Sequence, residues 1–158
     1  MSSAFFYVDG IPTKGTWVDL EFIDGWSGVL EVLAEAGYDK PDEILCADAD
    51  GLARFFLSRY DCFDLAGYIE CRDSCAWASD DAKSAYIDCF GSWDASGFED
   101  AYSGDWDSDI AFAADFIEST GMLDTMPDKL RGYFDTAAFT RDLMMDYSES
   151  TGHYFRNF

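Results

Sequence analysis

Between Lys83 and Lys129 the chain runs for 45 residues with eleven acids and no base. No carboxylate in this stretch has a local cation to neutralise it, and an unpaired buried carboxylate costs far more than a small domain can spare. Whatever forms here must therefore keep its acids at solvent. A helix built from it also forgoes i,i+4 acid–base pairs, each worth about 0.2–0.5 kcal/mol. Yet "SDDAKSAYIDCFG" and "DSDIAFAADFIESTG", like "DCFDLAGYIECR" before them, place apolar residues three or four apart beneath acidic ones. The spacing predicts a mainly helical region from about residue 61 to residue 121, with Ser79 and Ser108 as N-caps. Asp80, Asp81 and Asp109 then fall in first helical turns, where the macrodipole favours a negative charge by about 0.3–1 kcal/mol.

The imbalance extends to the whole chain: 32 acids against 10 bases give 158 residues a formal charge of −22. Disorder would pair such charge with few aromatics, but 14 Phe, 9 Tyr and 5 Trp predict a packed core. The length suits one ordinary domain or a few small subdomains.

Both ends differ from the middle. "AFFYVDG" and "TWVDLEF" read as strands of a hairpin, because Trp17, Asp19 and Glu21 alternate with Val18, Leu20 and Phe22, and the residues from Gly10 to Gly15 offer a turn. "WSGVLEVLAEAG" predicts a helix stopping at Gly37, and "EILCAD", Glu43 to Asp48, a third strand. Towards the C-terminus lie Lys129, Arg131, Arg141 and Arg156, with an apolar stripe of Leu130, Tyr133, Phe134, Phe139 and Leu143. The pattern is an α+β fold whose mixed ends flank a helical centre.

Signatures of catalysis are missing: no G-x-S-x-G, no phosphate-cradling glycine loop and no H-E-x-x-H, while His153 stands alone. The five cysteines have no C-x-x-C spacing. "CADADG", Cys46 to Gly51, imitates part of a calcium loop through Asp48, Asp50 and Gly51, but Cys46 takes the first ligand position and Leu57 the twelfth. Neither enzymatic activity nor a metal or other cofactor is expected. Without a basic patch, direct nucleic-acid binding is not expected either. No run of about eighteen apolar residues and no basic leader appears, so a cytoplasmic protein of the host cell is expected, without a membrane partner.

The acids invite comparison with DNA itself. Duplex DNA carries about one charge per 110 Å² of its cylindrical wall, for a radius of about 10 Å. A compact protein of this mass exposes about 8,000 Å², or about 360 Å² per net charge here, a threefold shortfall that gathering the acids on one side would remove. Acids at i and i+4 of a helix lie about 6 Å apart, close to the pitch of successive phosphates. In "EDAYSGDWDSD" carboxylates stand beside Tyr102 and Trp106, rings better suited to anchoring the segment in a core than to lying on an interface.

"FIESTGMLDTMPDKLRGYFDTAAFTRDL", Phe116 to Leu143, resembles the C-terminal signature of the ArdA antirestriction family. The likeness rests on Ile117, Glu118, Thr120, Gly121, Leu123, Pro127, Leu130, Tyr133, Asp135, Ala138, Arg141, Asp142 and Leu143, with "FFYVDG" and "GTWVDLEF" similar to the family's opening hairpin. The resemblance implies an elongated protein of three small subdomains, placed at 1–60 (α+β), 61–107 (helical) and 108–158 (C-terminal). It also implies a homodimer formed through the last of these. Such proteins are DNA mimics that occupy the DNA channel of type I restriction–modification enzymes and protect incoming phage or mobile-element DNA.

The phosphate surrogates expected on this reading are Asp48, Asp50, Asp80, Asp81, Asp88, Asp94, Glu99, Asp100, Asp105, Asp107, Asp109, Asp115 and Glu118. Leu130, Tyr133, Phe134 and Arg141 are the expected dimer contacts. Two alternatives remain open from charge alone: a mimic aimed at another defence nucleoprotein such as a CRISPR effector, and an acidic calcium-binding protein.

Overall fold

The computed structural model describes residues 1–158 and is an α+β arrangement: an antiparallel sheet at the N-terminal end, helices through the middle and a small sheet at the C-terminal end. It comprises two compact units, Met1–Ala95 and Ser96–Phe158.

In the first unit β1 (Ser3–Val8), β2 (Ile11–Asp19) and β3 (Ile44–Asp50) form an antiparallel sheet in the order β2-β1-β3. The hairpin closes sooner than the Gly10–Gly15 stretch suggests. Asp9 (φ 53°) and Gly10 (φ 68°) make a two-residue turn with both residues left-handed, whose twist suits the ladder it joins. Val8 pairs with Ile11 and Tyr7 with Gly15, so Pro12, Thr13 and Lys14 bulge out of the ladder. Gly15 is required by close approach, since a Cβ there would lie 2.5 Å from the Phe6 carbonyl oxygen.

Strand alternation gives this sheet two unlike faces. Ala4, Phe6, Val18 and Ala49 turn into the core, whereas Phe5, Trp17, Asp19, Asp48 and Asp50 lie on the other face. Helix α1 (Trp26–Glu35) buries Val29 and Leu33 in that core and ends at Ala36, just before Gly37 (φ 95°). A 3₁₀ helix, Gly51–Phe56, leads to α2 (Leu65–Asp73), which adds Leu65, Tyr68 and Cys71. Helix α3 (Asp80–Phe90) starts at Ser79, whose Oγ accepts the Ala82 N–H at 3.1 Å, and stops at the left-handed Gly91.

Helix α4 (Ala95–Ala101) leads into the second unit, followed by β4 (Tyr102–Asp105), α5 (Asp109–Ser119), α6 (Asp128–Arg131), α7 (Thr136–Leu143), β5 (Tyr147–Ser150) and β6 (His153–Arg156). The three strands form an antiparallel sheet in the order β4-β6-β5. Ser108 caps α5 as expected, accepting the Ala111 N–H at 3.2 Å. Strand β4 interrupts the region expected to be helical. Its hydrogen-bonding partner β6 lies about fifty residues downstream, pairing Tyr102 with Phe155 and Asp105 with His153, and local periodicity carries no sign of so distant a partner. Phe112, Phe116, Tyr147 and Tyr154 then build an aromatic core, with Phe112 stacked 4.6 Å from Tyr154.

A candidate acidic interface

Of the 32 acidic residues, 31 are exposed, and Asp61 alone is half-buried. All thirteen expected phosphate surrogates are among the exposed ones. Spread over the accessible surface of 9437 Å², the net charge amounts to about one per 430 Å², about fourfold sparser than duplex DNA.

The first unit gathers acids on two elements. Asp48 and Asp50 stand on the solvent face of β3, about 7 Å apart along the strand. Ser3 of β1 pairs with Asp50 on one side and Asp19 on the other, so these two carboxylates flank one position about 10 Å apart. Phe5 is flanked in the same way by Trp17 and Asp48, its ring meeting Trp17 edge-on at 5.8 Å. Asp19 was not among the expected surrogates, although its alternation with Trp17 in the sequence placed it on this face. Helix α3 supplies Asp81 and Asp88, seven residues apart on its exposed side, while Asp80 lies 3.9 Å from the chain's amino group. Asp94 is exposed just before α4. "CADADG" runs as extended strand into the 3₁₀ helix, a path unlike the looped turn of a calcium site, and no three His, Cys, Asp or Glu side chains converge anywhere in the chain to hold a metal ion.

In the second unit Glu99 and Asp100 project from α4 while Phe98 and Ala101 are buried beneath them. Asp105 ends β4, Asp107 lies in the connection and Asp109 opens α5. Asp109 accepts a hydrogen bond from the Tyr154 hydroxyl at 2.8 Å, and burial, reinforced by that bond, holds the Tyr154 phenol well above its usual range. Asp115 and Glu118 share the solvent side of α5. Tyr102 and Trp106 serve as anchors: Tyr102 stacks on Phe98 at 5.1 Å, and Trp106 packs on Phe112 at 4.8 Å.

Two of these acids lie beside a cation, Asp80 at the chain's amino group and Asp88 3.9 Å from Arg54. Two bases of the first unit are instead turned inward. Lys83, 2% exposed, donates from Nζ to the carbonyl oxygens of Cys71, Arg72 and Ser74 at 2.8, 2.9 and 2.7 Å, capping the C-terminus of α2. Arg72 donates from Nη1 to the carbonyls of Leu20, Glu21 and Ile23, and pairs with Asp24 and Asp73. Its hydrogen bond holds the Asp73 carboxyl below the usual range. Burial pushes the Cys46 and Cys71 thiols up to about 11 and about 12, so both are protonated and poor nucleophiles at neutral pH.

Among the expected dimer contacts, Leu130 and Tyr133 are exposed by 52% and 85%. Phe134 is half-buried against Phe139 at 5.6 Å, and Arg141 pairs with Asp142 at 2.8 Å. Beside Arg141 an open groove of about 580 Å³ lies between α5 and α7, lined by Ile110, Ala137 and Met144. No helix is long and apolar enough to cross a membrane.

Among curated proteins none matches the chain. A family model described as antirestriction protein (ArdA) matches residues 6–156.

Proposed function

This chain belongs to the ArdA family of antirestriction proteins, and on that premise we propose that it acts as a DNA mimic in the DNA channel of a type I restriction–modification enzyme. An antirestriction protein is an inhibitor, and the chemistry required of it here is recognition by a cationic cleft. The observation that carries the proposal is the sorting of charge: acids outside, with Lys83 and Arg72 drawn in to backbone carbonyls. A channel evolved to neutralise phosphates meets exposed carboxylates, about 7 Å apart where Asp48 and Asp50 share a strand face, and an attraction of this kind weakens as salt rises.

The test is displacement of labelled duplex from a purified type I enzyme across a range of salt. The protein is expected to compete with duplex and to bind more weakly as salt rises. Any single Asp→Asn change should alter affinity by no more than about threefold, whereas six together, Asp48, Asp50, Asp81, Asp105, Asp107 and Asp115, should weaken it at least about a hundredfold and flatten the salt slope. Binding that leaves the duplex in place would refute the proposal, and exclusive capture of a different nucleoprotein would redirect it.

The same proposal includes a homodimer formed by the C-terminal region. Exposed Leu130 and Tyr133 and the α5–α7 groove support it, because isolated apolar surface of this kind is best covered by a second copy. Sedimentation should show Leu130→Asp with Arg141→Glu as a monomer.

A further inference from the structure

Phe22 occupies the connection between β2 and α1 and is 82% exposed, while its neighbours Leu20 and Ile23 are buried. An aromatic ring so placed in a loose loop would fold back on the nearest apolar surface. This connection is not loose. The guanidinium of Arg72, on α2, donates to the carbonyl oxygens of Leu20 at 3.0 Å, Glu21 at 3.1 Å and Ile23 at 2.8 Å, and to the Asp24 carboxylate at 3.2 Å. Arg72 is itself fixed by Asp73, which accepts from its Nε at 2.6 Å. One of the few cations of this unit thus clamps the backbone on both sides of Phe22 and holds the ring out, with exposed Glu21 next to it in the chain and exposed Asp24, one of whose oxygens is taken by Arg72, two residues on.

We propose that Phe22 is a preformed contact for an arginine of the target's DNA channel, whose guanidinium stacks on the ring while its N–H groups reach the flanking carboxylates. The inference rests on the DNA-channel reading and deepens it. Charge complementarity selects this occupant: an exposed ring with exposed acids at the neighbouring positions 21 and 24 fits a planar cation that stacks and donates at once, as arginine does and lysine does less well. The sugar–phosphate wall of DNA presents no ring of this kind. The contact therefore supplies affinity that duplex lacks, and this part of the affinity survives salt that screens the carboxylates. Because the clamp fixes the turn before binding, little ordering cost falls on the complex.

The experiment uses the full chain in the same displacement assay, from low to moderate salt. Phe22→Ala should weaken binding about tenfold at every salt concentration, with an unchanged slope against salt and an unchanged melting temperature. Phe22→Trp should retain affinity. Phe22→Leu, which keeps apolar area without a π face, should lose it as alanine does. Affinity of Phe22→Ala within about twofold of the parent, or full affinity of Phe22→Leu, overturns the stacking contact. In either case, weakening by the six-acid variant would leave the DNA-channel reading standing. Failure of the unaltered protein to displace duplex would remove both together.

Discussion

The two units reach nearly the same charge per residue by different routes. Met1–Ala95 has 19 acids and 6 bases, Ser96–Phe158 has 13 acids and 4 bases. In the first unit bases and acids are interleaved along the chain, and the surface is cleared of two cations by folding: Lys83 and Arg72 turn inward to carbonyl groups. In the second all four bases stay exposed, but every one of them follows residue 128, leaving the stretch before it purely acidic. Sequestration ties the surface charge to fold stability; segregation along the sequence leaves the two independent.

Replacing an inward cation tests this difference most severely. Lys83→Met fills similar volume but leaves the carbonyls of Cys71, Arg72 and Ser74 without their donor. Removing one partner of a buried polar group costs the desolvation of what remains, so urea unfolding should show a loss of about 2–4 kcal/mol. A loss below about 0.5 kcal/mol, as at an ordinary surface site, would break the distinction between the units.

That role of Lys83 was partly legible in the sequence. Lys83, Tyr86, Ile87 and Phe90 follow the helical apolar spacing, which assigns the lysine to the inner side of α3. What no local pattern shows is the receiver, the end of α2, because the three carbonyls depend on how two helices pack. The clamp of Arg72 on residues 20–24 is hidden for the same reason, with its partners about fifty positions away. The three N-terminal strands, the caps at Ser79 and Ser108 and the stop at Gly37 were readable, since each is specified within a few residues, although β2 ends at Asp19, short of the Glu21 and Phe22 that the alternation carried into it. Strand β4 was not: only four residues long, it is a strand because β6 lies beside it. Exposure of the thirteen surrogates followed from their charge, whereas the rows Asp19–Ser3–Asp50 and Trp17–Phe5–Asp48 required the register.

A second probe exploits a feature that the units share. Each has a buried tyrosine donating to a carboxylate, Tyr7 to Asp61 at 2.6 Å and Tyr154 to Asp109 at 2.8 Å. The bond to Asp61 pushes the Tyr7 phenol from 10 up to about 12. A pKa raised by folding means that the neutral phenol is favoured in the native state. Its contribution is therefore complete below pH 10 and is lost as pH rises towards about 12. Melting curves should show the parent losing its advantage over Tyr7→Phe across that window. An advantage constant from pH 9 to about 12 would mean that the bond to Asp61 adds nothing to the tyrosine's packing.

The smallest effect is expected where charge is merely segregated. Lys129 and Arg141 are exposed in the second unit, and Arg141 contacts only its sequence neighbour Asp142 among the acids. Exposed pairs of this kind contribute about 0–1 kcal/mol, which salt reduces further. Lys129→Gln and Arg141→Gln, measured separately at a protein concentration that keeps the oligomeric state constant, should each change unfolding free energy by less than about 0.5 kcal/mol at moderate salt. A cost near that of Lys83→Met would show that the second unit also depends on its cations, and the acidic stretch before residue 129 would then have to be understood as held in place by the basic tail.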